Sequence, residues 1–471
     1  MRALSLSLTF IVLTAGCSGG GGPTDAGAAG GGAATAGGSG TAGGGTSTAG
    51  GSGTAGGTAT AGGTATGSCG WERNLATPLS DIAHDVLALP DQSVVVVGIV
   101  GFGIPDAGLT SPGGFAIRFD AQGTVMWSRS YGPNLTVKRV EAAANGDLLL
   151  AGVALSDGGC TNFHGAEDVW VARVSATDGQ EQFKTCVGGD DDEEAFDLRE
   201  VMLPSGPALH LTGQTDSHSS GDVGPKHGGG GFDAPDVMSA FVSYADGGRV
   251  VTASCHGTNG PDVGRGFLDD GNLIGSTFGA NDGDLADSGV PIGFADLLIT
   301  RFRTPPCVAQ SCPVDAVRIG GDGNDSVTTT LPGNLVVGVT RSSDGGVQCP
   351  GATQTTAQAF VAHVGTGIDE LVCLTNSGSA TVNDAFLADG KVWLAGWGWR
   401  RDGFFADAGV AGSGPPNDYF VIALDATDRR IVRRAVNANV GIINGAALRP
   451  DGCLVVVGSA SGAARVTTIA P

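Results

Sequence analysis

The stretch SCGWERNLATPLS, residues 68–80, brings a tryptophan and alternating apolar residues directly after a long run of Gly, Ala and Thr. It reads as one β-strand, residues 70–77, with no earlier strand to pair with. Its partner must lie elsewhere in the chain, and finding that partner decides the fold.

After residue 68 one unit recurs seven times. Apolar runs ending in glycine occur as SVVVVG at Gly98, DLLLAG at Gly152, LHLTG at Gly213, NLIG at Gly275, NLVVG at Gly338, KVWLAG at Gly396 and CLVVVG at Gly458. From Gly98 to Gly458 is 360 residues in six intervals, a mean period of 60. Turn signals such as AANGD and RPDGC precede the runs. Two further runs follow in a unit, for example GFAIRFDAQG and TVMWSRSYG. With the run before the turn, such as DIAHDVLAL, each unit holds four strands. Four-stranded units at constant period indicate a β-propeller.

The seventh unit ends at Pro471 after its third strand. Its fourth strand is GWERNLAT, which matches VMWSRSYG, with Trp71 where Trp127 stands. The expected fold is therefore an all-β, seven-bladed β-propeller over residues 69–471. Each blade has four antiparallel strands, and the N-terminal strand closes the last blade. Closure removes an open seam. An open solenoid would leave residues 70–77 without a role.

The chain opens MRALSLSLTFIVLTAGCSGGGG. Arg2 precedes an apolar segment, residues 3–15, too short to span a bilayer as a helix. Thr14-Ala15-Gly16-Cys17 resembles the lipobox of bacterial lipoproteins, with Thr14 in place of the usual Leu. The resemblance implies a signal peptide over residues 1–16 and a lipid on Cys17. With Ser18 next, it implies sorting to the outer membrane of a bacterial cell envelope. Residues 17–68 then form a lipidated cysteine plus a low-complexity tether with nothing to bury. Its root-mean-square reach is roughly 40 Å, and its stretched length roughly 170 Å.

Units such as TGQTDSHSSGDVGPKHGGGGFDAPDVMSAFV and VRIGGDGNDSVTTTLPGNLVVGVTRSSDGG resemble the seven-bladed propeller repeats of bacterial secreted proteins and lipoproteins. The resemblance covers most of residues 69–471. It implies the fold and carries no shared catalytic motif.

In such a blade, the loops leaving strands two and four lie on one face of the disc. The strand two-to-three loops are long and dissimilar, as in GWGWRRDGFFADAGVAGSGPPND, whereas the strand one-to-two turns on the other face are short. Long loops on a rigid scaffold are where binding usually sits. The tether enters a fourth strand at its start, so residue 69 is expected on the short-turn face. The loop-rich face would then point away from the membrane.

Ten cysteines are present. With Cys17 assigned to lipid, an oxidising compartment leaves nine to sort. Topology pairs Cys160 with Cys186 and Cys349 with Cys373 in equivalent places. Cys307 and Cys312 flank a short loop. Cys69 and Cys453 begin strands four and two of the closing blade. Cys255 is left either free or displacing one of these pairings.

The formal net charge is −22, from 25 basic and 47 acidic side chains. That excludes a basic nucleic-acid footprint. Residues 69–471 carry no GxSxG, HExxH or phosphate-loop motif. The run GGDDDEEAFD, with Asp190, Asp191 and Asp192, offers oxygen ligands for Ca²⁺, as do Asp322 and Asp325 in GGDGND. Neither matches the twelve-residue calcium loop, and both also read as solvated acidic turns. His218 and His227 share one loop with Asp216 and Asp222, a weak transition-metal pattern.

In KVWLAGWGWRRDGFF, Trp393 is expected to pack between blades. Trp397 and Trp399, beside Arg400 and Arg401, offer aromatic faces to a sugar or a protein ligand. The alternative is that this loop folds back over its own blade.

Two functions compete. The first is a membrane-anchored, monomeric ligand-binding or envelope scaffold module with a protein or glycan ligand. The second is a polysaccharide-active hydrolase or lyase with a metal-assisted site on the loop-rich face. Charge-perturbed groups clustered at the axial funnel would favour the enzyme. A bare funnel with aromatic loops would favour binding.

Overall fold

The computed structural model describes residues 69–75, 81–156, 160, 162–218, 221–223, 234–279, 295–302, 314–374, 378–398, 418–436, 441–460 and 462–470. They form seven four-stranded antiparallel sheets, the blades of the expected propeller. The chain begins with β1 (Glu72–Leu75). Blade 1 is β2 (Ile82–Ala88), β3 (Val94–Val100), β4 (Gly113–Phe119) and β5 (Val125–Gly132). Blade 2 is β6 (Leu135–Ala142), β7 (Leu148–Leu155), β8 (Glu167–Val174) and β9 (Glu181–Val187). Blade 3 is β10 (Glu193–Leu203), β11 (Gly206–Thr215), β12 (Asp236–Ser243) and β13 (Arg249–His256). Blade 4 is β14 (Asp262–Phe267), β15 (Leu273–Thr277), β16 (Asp296–Phe302) and β17 (Val314–Ile319). Blade 5 is β18 (Asp325–Leu331), β19 (Leu335–Thr340), β20 (Gln358–Val364) and β21 (Ile368–Leu374). Blade 6 is β22 (Ala380–Ala388), β23 (Lys391–Gly398), β24 (Asp418–Asp425) and β25 (Ile431–Val436). Blade 7 is β26 (Ile442–Leu448), β27 (Leu454–Ala460) and β28 (Ala463–Ile469), completed by β1.

The core lies between blades. The middle strands are buried on both faces, so β3 reads VVVVGIV without alternation. The outer β5, VMWSRSYG, alternates because one of its faces meets water. Trp170 is fully buried in a cluster that joins blades 1 and 2. Trp393 is fully buried against Ile443, Leu454 and Val456 of blade 7, as expected.

The repeated glycine has a steric reason. A Cβ on Gly98, Gly152 or Gly458 would fall 2.0, 1.9 or 1.8 Å from the carbonyl oxygen of Ile82, Thr136 or Ile442 in the neighbouring inner strand. Gly213, Gly275, Gly338 and Gly396 are crowded in the same way. In every blade the glycine faces the residue just before a bulge in the inner strand.

The partner of the lone strand is β28, with Glu72 opposite Thr467 and Leu75 opposite Ala464. The ladder starts at Glu72 rather than residue 70, because Gly70 and Trp71 instead donate their N–H groups to Thr468 Oγ1, at 2.9 and 3.0 Å. Residues 76–80 lie outside the described residues. Trp71 Nε1 donates to Ala121 O and Arg73 Nε to Gly123 O, both in the next blade. Trp127 and Arg129 make the same reach, to Ala176 O and Asp178 O. The pair Trp-x-Arg thus does one job in both outer strands.

Cys69 is bonded to Cys453, Cys160 to Cys186 and Cys349 to Cys373. Cys453 follows the strand one-to-two turn of blade 7, so residue 69 lies on the short-turn face. Cys255 is not free: it is disulfide-bonded, and none of the three described pairs is displaced. Cys17, Cys307 and Cys312 lie outside the described residues.

Candidate functional site

Seven inner strands, β2, β6, β10, β14, β18, β22 and β26, surround the axis. Each bulges at one equivalent place, which sets His84, Lys138, Phe196, Arg265, Thr328, Asn383 and Asn444 out of register. A bulge re-aims side chains and strengthens local twist. Here it supports a belt of hydrogen bonds that crosses every blade junction. Asn444 Nδ2 donates to Ala83 O at 2.9 Å, and Val140 N to Asp85 Oδ2 at 3.0 Å. Arg139 Nε donates to Phe196 O, and Arg199 Nη1 to Leu268 O, both at 2.9 Å. Phe267 N donates to Thr330 Oγ1, and Thr328 Oγ1 to Val382 O, both at 3.2 Å. Asn383 Nδ2 closes the belt on Ile443 O at 2.7 Å.

Within the belt is a pocket of about 200 Å³, lined by His84, Lys138, Arg139, Glu194, Phe196, Asn383 and Asn444 among others. These residues come from five blades. They lie near the starts of the inner strands, hence toward the loop-rich face. Lys138 Nζ meets Glu194 Oε1 at 2.5 Å. Burial, with Lys138 and Arg139 nearby, lowers the His84 pKa to about 4, so its ring is neutral at pH 7. Arg265 lies over the Phe196 ring at 3.9 Å.

Burial disfavours the Arg139 charge, but Asp85, Asp384 and Asp197 hold it protonated. Burial raises the pKa of Asp85 and Asp384, and that of Asp197 to about 6. The funnel is therefore not bare. Two of its carboxylates are engaged in the belt: Asp85 accepts Val86 N and Val140 N, and Asp384 accepts Ala446 N at 2.7 Å.

The acidic loop motifs resolve differently. The last acid of GGDDDE, Glu193, is buried and accepts Thr215 Oγ1 at 2.5 Å, Gly189 N at 2.7 Å and Ser217 Oγ. Asp325, last in GGDGND, accepts Thr340 Oγ1 at 2.5 Å, Ser342 Oγ at 2.8 Å and Gly321 N at 2.9 Å. Asp262 holds the same place in blade 4 and accepts from Thr258 N and Oγ1. An acid of the preceding blade packs on the first glycine of each motif. A Cβ on Gly188, Gly257 or Gly320 would fall 2.2, 2.0 or 1.8 Å from Asp168, Asp236 or Asp296. These are clasps between blades.

The other acids lie outside the clasps. Asp190 is exposed and accepts His218 N at 2.6 Å, while Asp191 lies 3.7 Å from the His218 ring. Asp192 O accepts Asp216 N. Asp322 is exposed and bonded to Ser343, so it does not converge with buried Asp325. Among the described residues no group of three or more His, Cys, Asp or Glu could hold a metal ion. His227 lies outside the described residues.

Burial raises the pKa of Glu193 and Asp262 to about 7 and of Asp325 to about 6. In the unfolded chain these groups titrate near 4. The folded ring holds their protons more tightly. Their contribution is therefore fully present below about pH 4 and is lost as pH rises through 6 to 7. The thermal midpoint at pH 5 is expected to exceed that at pH 8 by a few degrees in calorimetry. A higher midpoint at pH 8 would contradict this.

Trp397 belongs to β23, half-buried between Thr381 and Tyr419, and does not stand beyond the strand end as the sequence suggested. Trp399, Arg400 and Arg401 lie outside the described residues. The axial pocket escaped the sequence reading. His84, Lys138, Asn383 and Asn444 each follow directly the apolar residue that faces the glycine, but they share no residue type that a repeat would display.

No protein-family model and no curated protein matches the chain. Solved structures give distant likenesses. The uncomplexed Pyrococcus horikoshii acylaminoacyl peptidase has 10% identity and a TM-score of 0.44, over 83% of this chain and 51% of its own. The chain thus spans about half the length of that peptidase. The β-propeller domain of the Trilobed protease from Pyrococcus furiosus has 9% identity and a TM-score of 0.44, over 83% and 95%. The Pan2 WD40 domain of Neurospora crassa has 8% identity and a TM-score of 0.42, over 84% and 97%. At these identities and scores none of their activities transfers to this chain.

Proposed function

We propose that this chain is an extracytoplasmic β-propeller, lipid-anchored at Cys17, that binds a small neutral sugar in the axial pocket of its loop-rich face. The pocket carries this reading. A volume of about 200 Å³ lies below the roughly 300–1,000 Å³ of drug-sized sites, and suits one ring. The amide nitrogens of Asn383 and Asn444 are engaged in the belt, which leaves their carbonyl oxygens as acceptors. Neutral His84 and the Lys138–Glu194 pair add donors and acceptors, and Phe196 adds an apolar surface. Residue 69 on the short-turn face is consistent with a tether from the membrane below and a pocket facing away.

Titration calorimetry of the full chain with neutral monosaccharides tests this. His84→Ala and Lys138→Ala should each weaken binding at least tenfold while leaving the thermal midpoint close to that of the wild type. The Lys138 pair is less than a third exposed yet open to the water of the funnel, and contributes about 1 kcal/mol at most. Unchanged affinity in both variants, or no sugar bound, would sink the reading. Cys17→Ser should move the chain from the membrane to the soluble fraction.

The three carboxyl groups gathered round Arg139 at the funnel favour a second reading, the polysaccharide-active hydrolase or lyase, since burial pushes Asp197 up toward the range of a general acid. Polysaccharide cleavage that Asp197→Asn abolishes would replace binding with catalysis.

A further inference from the structure

A second pocket, of about 550 Å³, lies on the loop-rich face between blades 4 and 5, lined by Pro261, Phe278, Asn324, Arg341 and Gln354. It shares no residue with the axial pocket. Phe278 and Arg341 hold one equivalent place in neighbouring blades, each directly after the threonine that ends the second strand. Their backbones are fixed alike: Phe278 N donates to Pro261 O at 2.8 Å, and Arg341 N to Asn324 O at 2.9 Å. In blade 3 the same bond joins Asp216 to Asp192. A rigid repeated position therefore presents a variable side chain, and at this junction it presents a ring and a cation together.

Phe278 is 46% exposed. Arg341 is exposed, and among the described residues its guanidinium has no acidic partner. That is unusual in a chain of net charge −22. The adjacent carboxylates are turned aside: Asp322 accepts from Ser343 N and Oγ, and Asp344 Oδ1 accepts Asp322 N. Gln354 Nε2 donates to Asp322 O at 3.0 Å, which leaves its side-chain oxygen to accept. Next to Phe278 in the chain, Gly279 O accepts Arg318 Nη1 at 2.6 Å, which fixes the end of this segment.

We propose that this pocket binds a uronic acid residue of an acidic glycan. Arg341 takes the carboxylate through its two-pronged guanidinium. Phe278 and Pro261 carry the apolar face of the ring. Asn324 and Gln354 meet the hydroxyls.

Calorimetry of the full chain with a uronic acid trisaccharide, its methyl ester and a neutral trisaccharide decides this. The acid should bind at least tenfold more tightly than the ester, and more weakly in high salt. Arg341→Ala and Phe278→Ala should each lose at least tenfold, with Arg341→Lys recovering part. His84→Ala, in the axial pocket, should leave this affinity unchanged, so the two sites fail separately. No binding of the acid, equal binding of acid and ester, or wild-type affinity in Arg341→Ala would overturn the proposal. So would Arg341-dependent capture of a peptide carboxylate with none of the uronate.

Discussion

Cys69→Ser lowers the unfolding free energy of the ring by about 3–5 kcal/mol. The bond joins residues 384 apart in sequence, and the loop-closure entropy it removes from the unfolded chain grows with that separation. The strand it secures holds itself weakly. β1 has four residues, and only Leu75 is buried, at 4% exposure. Trp71 and Arg73 reach the neighbouring blade, but those contacts require β1 to be in place. Without the bond, β1 frays and exposes the edge of β28. Urea denaturation of oxidised wild type and variant should show the midpoint shift, and limited proteolysis should cut first near residues 69–75. An unchanged midpoint would mean that the ring is closed without this strand.

Arg139→Met costs about 1–3 kcal/mol at pH 8, because it leaves half-buried Asp85, Asp384 and Asp197 without their cation. It also removes the belt bond to Phe196 O. The loss should shrink toward pH 5. The three carboxyl groups already have folded pKa values raised by burial, and without Arg139 these rise further. A raised acid contributes stability below its unfolded pKa and loses it as pH rises through the folded value. Protonation near pH 5 therefore relieves the variant more than the wild type. A deficit equal at both pH values would show that Arg139 acts only by packing and its hydrogen bond.

The ring was legible in the sequence because its signals repeat. Seven glycines at one period, one missing outer strand and one spare strand are enough to count blades, and Trp71 and Trp127 share a contact as well as a pattern. The closing disulfide followed from the same topology. The axial belt was not legible, since its members are chemically unlike: His84, Lys138, Phe196, Asn383 and Asn444 share a backbone bulge, and one sequence does not display a bulge. The inward role of the acidic runs was hidden for a related reason. GGDDDE and GGDGND resemble ligand loops in composition, yet their last acids turn inward onto Thr215 and Thr340. Trp397 reads as loop from the sequence because the apolar run stops at Gly396. That glycine instead makes room for the bulge, and the strand continues through it to Gly398.

Hydrogen exchange of the full chain, with and without a panel of neutral monosaccharides, tests the axial site most directly. Slowed exchange is expected in inner-strand peptides covering residues 82–86, 137–141, 194–198 and 382–385, with the outer strands unchanged. Protection confined to residues 396–417, or to no segment at all, would contradict it.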